Sequence, residues 1–296
     1  MNLDYLRSFF AIVESNSISK AAKKLHLTQP GLSIQLQSLE NEVGAKLLIR
    51  SNKGVELTEE GRVVFEHAST ILSLESNIKK NIQDLKQKKS ILSICACQSL
   101  GDYVLPCSIY TYREIYTDLD VFLEVYNSST VIKKLINHET NIAIITGEYE
   151  AEGITTVPIL KDNLILVSGP DEKYNSISRD ELLHIPLILR DENSGSRVLL
   201  KDMLEESSID IDDLNNVLSV NSPESIKSSI TSGRGFAFLP EIVIRAELRS
   251  GALKKINIKD FDTSFSYNLI HRDNCTFTSH EERFKKFISS SKRCFC

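Results

Sequence analysis

Apolar residues near the start of the chain recur every three or four positions, which predicts a series of short helices. The apolar side of the first helix is marked by Leu3, Leu6, Phe10 and Val13. A second helix, which Ser17 or Ser19 can cap, runs to Leu25, and the tripeptide HLT separates it from a third. Thr28 can cap this third helix, whose apolar stripe is formed by Leu32, Leu36, Leu39 and Val43. Two short helices joined by a tight turn are typical of a helix-turn-helix.

The opposite side of the third helix is uncharged, although a solvated helix face normally carries Lys and Glu. It presents Pro30, Ser33, Ile34, Gln37 and Asn41. A helix fits the major groove of DNA, where Gln can bond adenine at two points and an apolar side chain can contact a thymine methyl. We therefore predict that the DNA-facing residues of this helix are Gln29, Pro30, Ser33, Ile34 and Gln37. The alternative for Ile34 is an isolated exposed isoleucine without a function.

A small positively charged hairpin is predicted after the third helix. Residues 46–58, KLLIRSNKGVELT, predict two short strands around Ser51–Gly54, which would form a wing. On and near this head, the polar and basic residues expected to contact phosphates are Ser19, Lys23, Lys24, Arg50 and Lys53. Phosphate contacts position a protein on DNA without reading its sequence. The alternative for each of them is ordinary solvated surface.

Residues 58–88 predict one long helix, which begins with Thr58 and two acids, Glu59 and Glu60, in its first turn. Its apolar positions form a heptad seam, broken at Glu75, that consists of Val64, Ala68, Ile71, Ile78, Ile82 and Leu85. A helix of about 31 residues extends roughly 46 Å. Because a small head cannot cover that length, we expect the helix to pair with a second copy. The alternative is a helix packed on its own C-terminal domain.

From residue 91 onwards, strand-like and helix-like segments alternate, which predicts an α/β fold with mostly parallel sheets. One of the predicted helices covers 103–116. Several predicted strands end in hydroxyl-bearing residues that begin a helix. Ligands of open α/β sheets bind at such ends, and helix N-termini favour anions. Arg190 or Arg197 could hold a carboxylate there, or could instead pair with the neighbouring Asp191 or Glu192.

Taken together, these residues resemble the LysR-type transcriptional regulators over essentially the whole chain. The strongest part is residues 3–61, which end in LTEEG and carry the spacing LxxLRxFxxxxExxSxxxAAxxLxxTQPxxSxQxxxLExxxGxxLxxR. Here that frame is Leu3, Leu6, Phe9, Glu14, Ser17, Ala21, Ala22, Leu25, Thr28, Gln29, Pro30, Ser33, Gln35, Leu39, Glu40, Gly44, Leu47 and Arg50. The C-terminal part matches more loosely, at Pro106 and in SGRGFAFLP at 232–240. At Ile34 the chain departs from the family, whose members often carry a basic or bulky polar residue there.

The resemblance implies a winged helix-turn-helix over 1–58, a linker and dimerisation helix over 59–89, and an effector-binding domain over 90–296. This last domain would be like a periplasmic solute-binding protein, with subdomain I at 90–161 and 268–296 and subdomain II at 162–267. The cleft between the subdomains would be lined by Ser99, Leu100, Ser128, Thr146, Ser194 and Ser196. The implied partners are promoter DNA with an interrupted palindrome, a small and anionic co-inducer, and further copies of the chain as a dimer or tetramer.

Charge and cysteine content adjust this interpretation only slightly. Residues 1–89 hold 13 Lys and Arg against 10 Asp and Glu, whereas the remainder holds 22 against 30, for a net charge of −5 overall. There are six cysteines, which we expect to be reduced thiols. We expect Cys95 and Cys97 to be buried in a strand, while Cys294 and Cys296 form a second C-x-C pair. Residues 162–267 hold no cysteine, unlike the peroxide-sensing branch of the family.

The sequence shows no nucleotide-binding glycine loop, no HExxH and no GxSxG, so we expect no catalytic residue, cofactor or resident metal. It also shows no basic leader with a cleavage site and no apolar run long enough to span a membrane, which predicts a cytoplasmic protein. Three alternatives stay open. They are a solute-binding or enzymatic α/β protein with an incidental helical head, a regulator that responds to thiol oxidation or metal, and a dimeric scaffold.

Overall fold

The computed structural model describes residues 1–51, 54–87, 90–290, 293 and 295. The chain divides into two compact units. The first unit contains Met1–Lys88 and Ile136–Glu139, and the second contains Lys89–Leu135 and Thr140–Cys296. Among the residues described, no helix is both long enough and apolar enough to cross a lipid bilayer.

The first unit is a small helical head with a two-stranded hairpin. Its elements are α1 Leu3–Ser15, α2 Ile18–Lys24, α3 Gln29–Val43, β1 Leu48–Ser51, β2 Gly54–Leu57 and α4 Glu59–Gln87. The strands β1 and β2 pair antiparallel, with Leu48 opposite Leu57, which confirms the predicted wing. Ser17, and not Ser19, caps α2, and the Thr28 hydroxyl accepts a hydrogen bond from the Gly31 amide at the start of α3.

The core of the head differs in phase from the predicted stripe of α1. Leu6, Phe9 and Ile12 are buried, whereas Leu3 is exposed and Phe10 stacks on Phe65 of α4 with ring centroids 4.8 Å apart. The reason is that α1 packs on α2 and α3 with one side and on α4 with another, so two faces are covered. In α3, Leu32, Leu36 and Leu39 are buried as predicted, but Val43, in the last turn, is exposed.

The long helix α4 changes environment along its length. Ala68 is buried in the core of the head, and Val64 and Ile71 pack against that core. Glu75, where the heptad seam is broken, forms ion pairs with Lys79 and with Arg7 of α1, the latter at 3.0 Å. The hydrogen bond from Lys79 is the main cause of the lowered pKa of Glu75. Beyond it, Ile78 and Ile82 are exposed, and the side chain of Leu85 lies outside the described residues.

The second unit alternates strands and helices around a mixed sheet. Its strands are β3 Ser90–Cys97, β4 Leu119–Tyr126, β5 Ala143–Thr146, β6 Ile154–Ser168, β7 Ser176–Ile177, β8 Leu187–Arg190, β9 Asn216–Val220, β10 Phe236–Pro240, β11 Lys254–Ile258 and β12 Ser264–Arg272. Its helices are α5 Gln98–Tyr103, α6 Leu105–Ile115, α7 Ser128–Ile136, α8 Arg179–Leu182, α9 Gly195–Glu206, α10 Pro223–Thr231, α11 Arg245–Ser250 and α12 Ser279–Ile288.

This sheet has two halves. The first half contains β3, β4 and β5, and the second half contains β8, β9 and β10. In the first half β3 pairs parallel with β4 and β5, and in the second half β8 pairs parallel with β9 and β10. The prediction of mostly parallel sheets misses β6 and β12, which are antiparallel to each other and to their neighbours. The helix predicted over 103–116 is observed as α6, which begins two residues later, because α5 ends at Tyr103 and Pro106 lies in the first turn of α6.

One long strand links the two halves. Residues 154–163 of β6 pair with β12, and residues 164–168 continue into the second half, where they pair with β10 and β11. The register between β6 and β12 shifts between Tyr267 and Asn268. β6 therefore runs unbroken through both halves.

Candidate functional site

The outer face of α3 is open to solvent along most of the predicted DNA-facing residues. Gln29, Pro30 and Gln37 are exposed, and Ile34 is 63% exposed although it is a large apolar residue. Ser33 is half-buried, so it offers less surface than the pattern predicts. Burial of Leu32, Leu36 and Leu39 on the other side fixes the direction in which this face points.

Hydrogen bonds give the three glutamines of α3 different roles. The Ser19 hydroxyl of α2 donates to Gln29 Oε1 at 3.0 Å, which holds this side chain while leaving its amide N–H groups available. Ser19 therefore orients Gln29, which is predicted to contact a DNA base. Ser19 itself is also predicted to contact a phosphate group. Gln35 instead accepts a hydrogen bond from Ser8 of α1 and ties two helices together. Gln37 is exposed on the outer face.

The predicted phosphate-contacting residues fall into three groups. Lys23, in the last turn of α2, is exposed. Lys24 is exposed as well, but its ammonium group forms an ion pair with Glu14 at 2.9 Å, which offsets part of its charge. Arg50 lies in β1, and its side chain, like the whole of Lys53, lies outside the described residues.

Polar contacts hold the wing against α3 and against the start of α4. Glu40 of α3 accepts a hydrogen bond from the Leu47 amide at 3.0 Å and pairs with Lys46 at 2.6 Å. Leu47 O accepts from the Thr58 amide at 3.1 Å. A Cβ atom on Gly61 of α4 would lie 2.0 Å from Leu47 O, so only glycine lets α4 approach this close. This contact explains the glycine that closes the LTEEG motif.

In the second unit, three helices begin around one cleft. It is lined by Cys97, Gln98, Ser99, Asn127, Ser128, Thr146, Arg190, Ser194, Gly195 and Ser196. These residues belong to the first turns of α5, α7 and α9 and to the ends of β3, β5 and β8. Helix N-termini present unbonded N–H groups, which favour a negatively charged ligand.

The hydroxyl groups of the cleft do not all act as helix caps. Ser194 does cap α9, by accepting from the Arg197 amide at 3.2 Å. The Ser128 hydroxyl instead accepts from the Thr146 amide at 3.4 Å, since Asn127 caps α7 through the Thr130 amide. The Ser196 hydroxyl is buried and has no hydrogen-bond partner among the described residues.

The side chain of one residue that the family resemblance assigns to the cleft lies in the hydrophobic core. Leu100 is fully buried in the hydrophobic core, and its side chain is not part of the cleft lining. In a short helix such as α5, adjacent residues point in different directions, so Leu100 faces inward where Ser99 faces the cleft.

Arg190 places a buried cation at the cleft, and its partners use only part of its donor capacity. Its Nη2 donates to Gln98 Oε1 at 2.6 Å and to Asn221 O at 3.1 Å, and it lies 3.6 Å from Asp191 Oδ2. Its Nε has no hydrogen-bond partner among the residues that the structure describes. Burial lowers the pKa of Arg190, although the charge of Asp191 acts in the opposite direction. Arg197 is not part of the lining.

Four lining residues, Cys97, Gln98, Asn127 and Gly195, belong to the strand ends that the sequence interpretation noted, but it did not assign them to the cleft. Their position next to the predicted hydroxyl residues at strand ends was the available signal. Gly195 is decisive for the geometry, because a Cβ atom there would lie 2.4 Å from Ser128 Oγ and 2.8 Å from Thr146 Cβ. The two halves thus approach each other closely at this glycine.

The described cysteines lie in different environments. Cys95 and Cys97 are both buried in β3, as expected, and burial raises the pKa of the Cys97 thiol. Cys107 is exposed, and the C-terminal pair Cys294 and Cys296 lies outside the described residues. Within the described ranges, no group of three or more His, Cys, Asp or Glu side chains is placed to hold a metal ion.

A helix-turn-helix head with an uncharged outer helix face, followed by an α/β unit whose cleft favours anions, defines a ligand-responsive DNA-binding regulator. Residues 3–62 match the family described as "Bacterial regulatory helix-turn-helix protein, lysR family", and residues 86–292 match "LysR substrate binding domain". The chain belongs to the LysR family of transcriptional regulators. It is therefore a DNA-binding regulator with an effector-binding domain, and not an enzyme.

Individual relatives agree with this assignment. The chain is 31% identical to a "Probable RuBisCO transcriptional regulator" of Cyanidioschyzon merolae over 264 residues, which cover 87% of each chain. The structure of CbnR, a LysR family transcriptional regulator, covers 97% of this chain and 98% of its own, with 20% identity and a TM-score of 0.69. The regulatory domain of CcmR from Synechocystis, in complex with 2-PG, covers 68% of this chain and 96% of its own, with 19% identity and a TM-score of 0.61.

Proposed function

We propose that this regulator reads promoter DNA through the outer face of α3 and responds to a small anionic metabolite bound in the cleft lined by Ser99, Ser128, Thr146, Ser194 and Ser196. One observation carries the effector proposal. The first residues of α7 and α9 line one cleft together with Ser196 and Arg190, whose buried hydroxyl and Nε have no hydrogen-bond partner among the described residues. Buried polar groups are normally paired, so a ligand that accepts hydrogen bonds completes the site.

An anion is favoured over a neutral or cationic guest by the charge of the lining. Arg190 is the charged residue of the lining, and the helix N-termini add partial positive charge. The presence of 2-PG in the CcmR domain, which shares this fold, supports a small anion as the class to test first.

We also propose the division of the chain that family resemblance implies. The head covers 1–58, the linker helix 59–89 and the effector domain 90–296, with crossings between subdomains near Lys161–Asp162 and Tyr267–Asn268. The continuity of β6 through both halves and the register shift in β12 support these crossings. The exposed Ile78 and Ile82 of α4 support pairing of this helix with a second copy on an interrupted palindrome. We place the protein in the cytoplasm, the compartment of the DNA that it regulates.

Footprinting tests the whole proposal. The full chain is mixed with DNA from upstream of its own gene, with and without members of a panel that contains 2-PG, inorganic phosphate and small carboxylates. We expect a salt-dependent footprint over two half-sites, and a change in its extent with at least one anion. Absence of any specific footprint contradicts the DNA-binding proposal, and a footprint that no anion changes contradicts the effector proposal.

Replacement of Ile34 by alanine tests base reading by α3. We expect the variant to lose preference for thymine at one position of each half-site, because the isoleucine contacts the thymine methyl. The expected loss of discrimination is about 1 kcal/mol, as for the burial of one methyl group. Selection of bound sequences from a random pool measures it. Val63→Ala, at an exposed apolar residue of α4, serves as the control, and an unchanged base preference in Ile34→Ala contradicts the prediction.

Lys23 and Lys24 are neighbours that we expect to differ in their contribution to DNA affinity. Lys23→Ala should weaken binding to all sequences alike and lower the salt-dependence slope by about one, as for the loss of one phosphate contact. Lys24→Ala should change the slope less, because Lys24 is already paired with Glu14 at 2.9 Å. Titrations over a range of salt concentrations compare the two variants. Equal slopes for both would show that the ion pair does not matter.

A further inference from the structure

A tyrosine of one half of the second unit contacts an acid of the other half. Tyr103 is the last residue of α5, which packs on β3 and β4 in the first half. Glu224 lies in the first turn of α10, which packs on β8 to β10 in the second half. The Tyr103 hydroxyl donates a hydrogen bond to Glu224 Oε1 at 2.5 Å. This contact joins residues 121 positions apart in the chain.

A buried lysine lies beneath this contact. Lys227, one turn after Glu224, is 7% exposed, and its ammonium group pairs with Glu224 at 2.6 Å and with Glu247 at 2.9 Å. The same ammonium lies 4.8 Å from the centroid of the Tyr103 ring, in the range of a cation–π interaction. Tyr103 therefore covers a cation of the other half with its ring and bonds an acid of that half with its hydroxyl.

The groups of this cluster hold their charges. Burial disfavours the charged form of Lys227, but hydrogen bonds with Glu224 and Glu247 outweigh it and raise its pKa. Partial burial likewise opposes ionisation of Glu224, yet hydrogen bonds from Lys227 and Tyr103 lower its pKa. Next to Tyr103, burial raises the pKa of Asp102. The charge of Glu224 acts in the same direction, and the charge of Arg190 acts in the opposite direction. The cluster thus lies within electrostatic range of the arginine that lines the cleft.

We propose that Tyr103, Glu224 and Lys227 form a latch that holds the two halves closed around the effector cleft. The three side chains lie outside the residues that line the cleft, so they act as positioning residues and do not contact the ligand. The inference rests on the proposed effector site, since closure matters for regulation only where the cleft binds a ligand. A weaker latch populates the open arrangement more, which lowers the apparent affinity of the cleft by the same factor.

Tyr103→Phe tests the latch in the full chain without any ligand. The first measurement is the rate at which an amine-reactive acetylating reagent modifies Lys227, followed by peptide mass spectrometry. Phenylalanine keeps the ring over Lys227, so loss of the hydroxyl by itself uncovers nothing while the halves stay closed. If the hydroxyl holds the halves together, we expect Lys227 to react roughly threefold to tenfold faster, as for the loss of one intramolecular hydrogen bond of ordinary strength.

Two controls and a second measurement complete the experiment. Tyr110→Phe, at an exposed tyrosine of α6, should leave the rate unchanged, and Lys201, an exposed lysine of α9, normalises reactivity within each sample. Amide hydrogen exchange over 195–198, at the start of α9, should accelerate by a similar factor in Tyr103→Phe. Unchanged Lys227 reactivity together with unchanged exchange overturns the latch. Neither measurement uses a ligand, so this result does not contradict the effector proposal. If no anion of the footprinting panel binds, that outcome contradicts the effector proposal and leaves the latch untouched.

Discussion

Gly195→Val is expected to weaken binding of the effector strongly while leaving DNA binding intact. Gly195 begins α9 in the second half, and it faces Ser128 of α7 and Thr146 of β5 in the first half. A Cβ atom at this position would lie 2.4 Å from Ser128 Oγ and 2.8 Å from Thr146 Cβ. Both distances are far below van der Waals contact, so a valine must push the two halves apart.

The size of the effect follows from the cost of overpacking, which is typically about 1–3 kcal/mol. Since about 1.4 kcal/mol corresponds to a factor of ten, the affinity for the anion should fall by roughly fivefold to somewhat more than a hundredfold. Because one hydrophobic core continues through both halves, the strain should also lower the thermal stability of the second unit. Isothermal titration with the anion selected from the panel measures the loss.

Asn193→Ala is the matched control for Gly195→Val. Asn193 is an exposed residue of the same loop, two positions before the glycine, and should bind the anion like the wild type. Electrophoretic mobility shifts in the absence of anion should be equal for wild type and both variants. A Gly195→Val chain that binds the anion with wild-type affinity would show that the closed approach at this glycine is not required.

Gly61→Ala is expected to destabilise the DNA-binding head, although alanine is the best helix former. The substitution gains about 1 kcal/mol in helix propensity. It also brings a Cβ atom within 2.0 Å of Leu47 O, a backbone atom that cannot rotate away. Leu47 is held on both sides, by Glu40 through its N–H group and by the Thr58 amide through its carbonyl. Either α4 or the wing must move, and we expect a net loss of about 1–3 kcal/mol.

Calorimetry of the full chain measures this loss as a lower melting temperature for the head. A loss of 1 kcal/mol corresponds to about 4–8 °C in a domain of this size. Affinity for DNA should fall as well, because the wing carries Arg50 and Lys53. Glu66→Ala, at an exposed position of the same helix, controls for the general effect of alanine. An unchanged melting temperature in Gly61→Ala would refute the tight approach.

Most of the head could be predicted from the sequence because its signals are local. Thr28 caps α3 as predicted, the outer face of α3 is open at Ile34 and Gln37, and the hairpin of β1 and β2 forms around the expected turn. Errors arose where one helix packs on two neighbours. Phe10 was assigned to the main core stripe, but it stacks on Phe65, far away in the chain.

The effector cleft was predictable only in part. Hydroxyl residues at strand ends pointed to Ser128, Thr146 and Ser196, because parallel strands end at the same edge of a sheet. The Ser194 hydroxyl caps a helix, whereas the Ser196 hydroxyl has no partner among the described residues. This difference depends on distances between atoms, which a sequence does not contain. The family pattern also placed Leu100 in the cleft, where the structure buries it in the core.

The sequence by itself determined the class of this protein, because periodicity, caps and fixed spacings act over a few residues and remain readable in the linear chain. The tertiary structure alone decided the contacts between distant segments. It brought Gly61 against Leu47, Gly195 against Ser128, and Tyr103 against Glu224 across 121 positions. These approaches depend on how whole elements pack, and packing is set by the summed fit of many side chains and not by any local pattern.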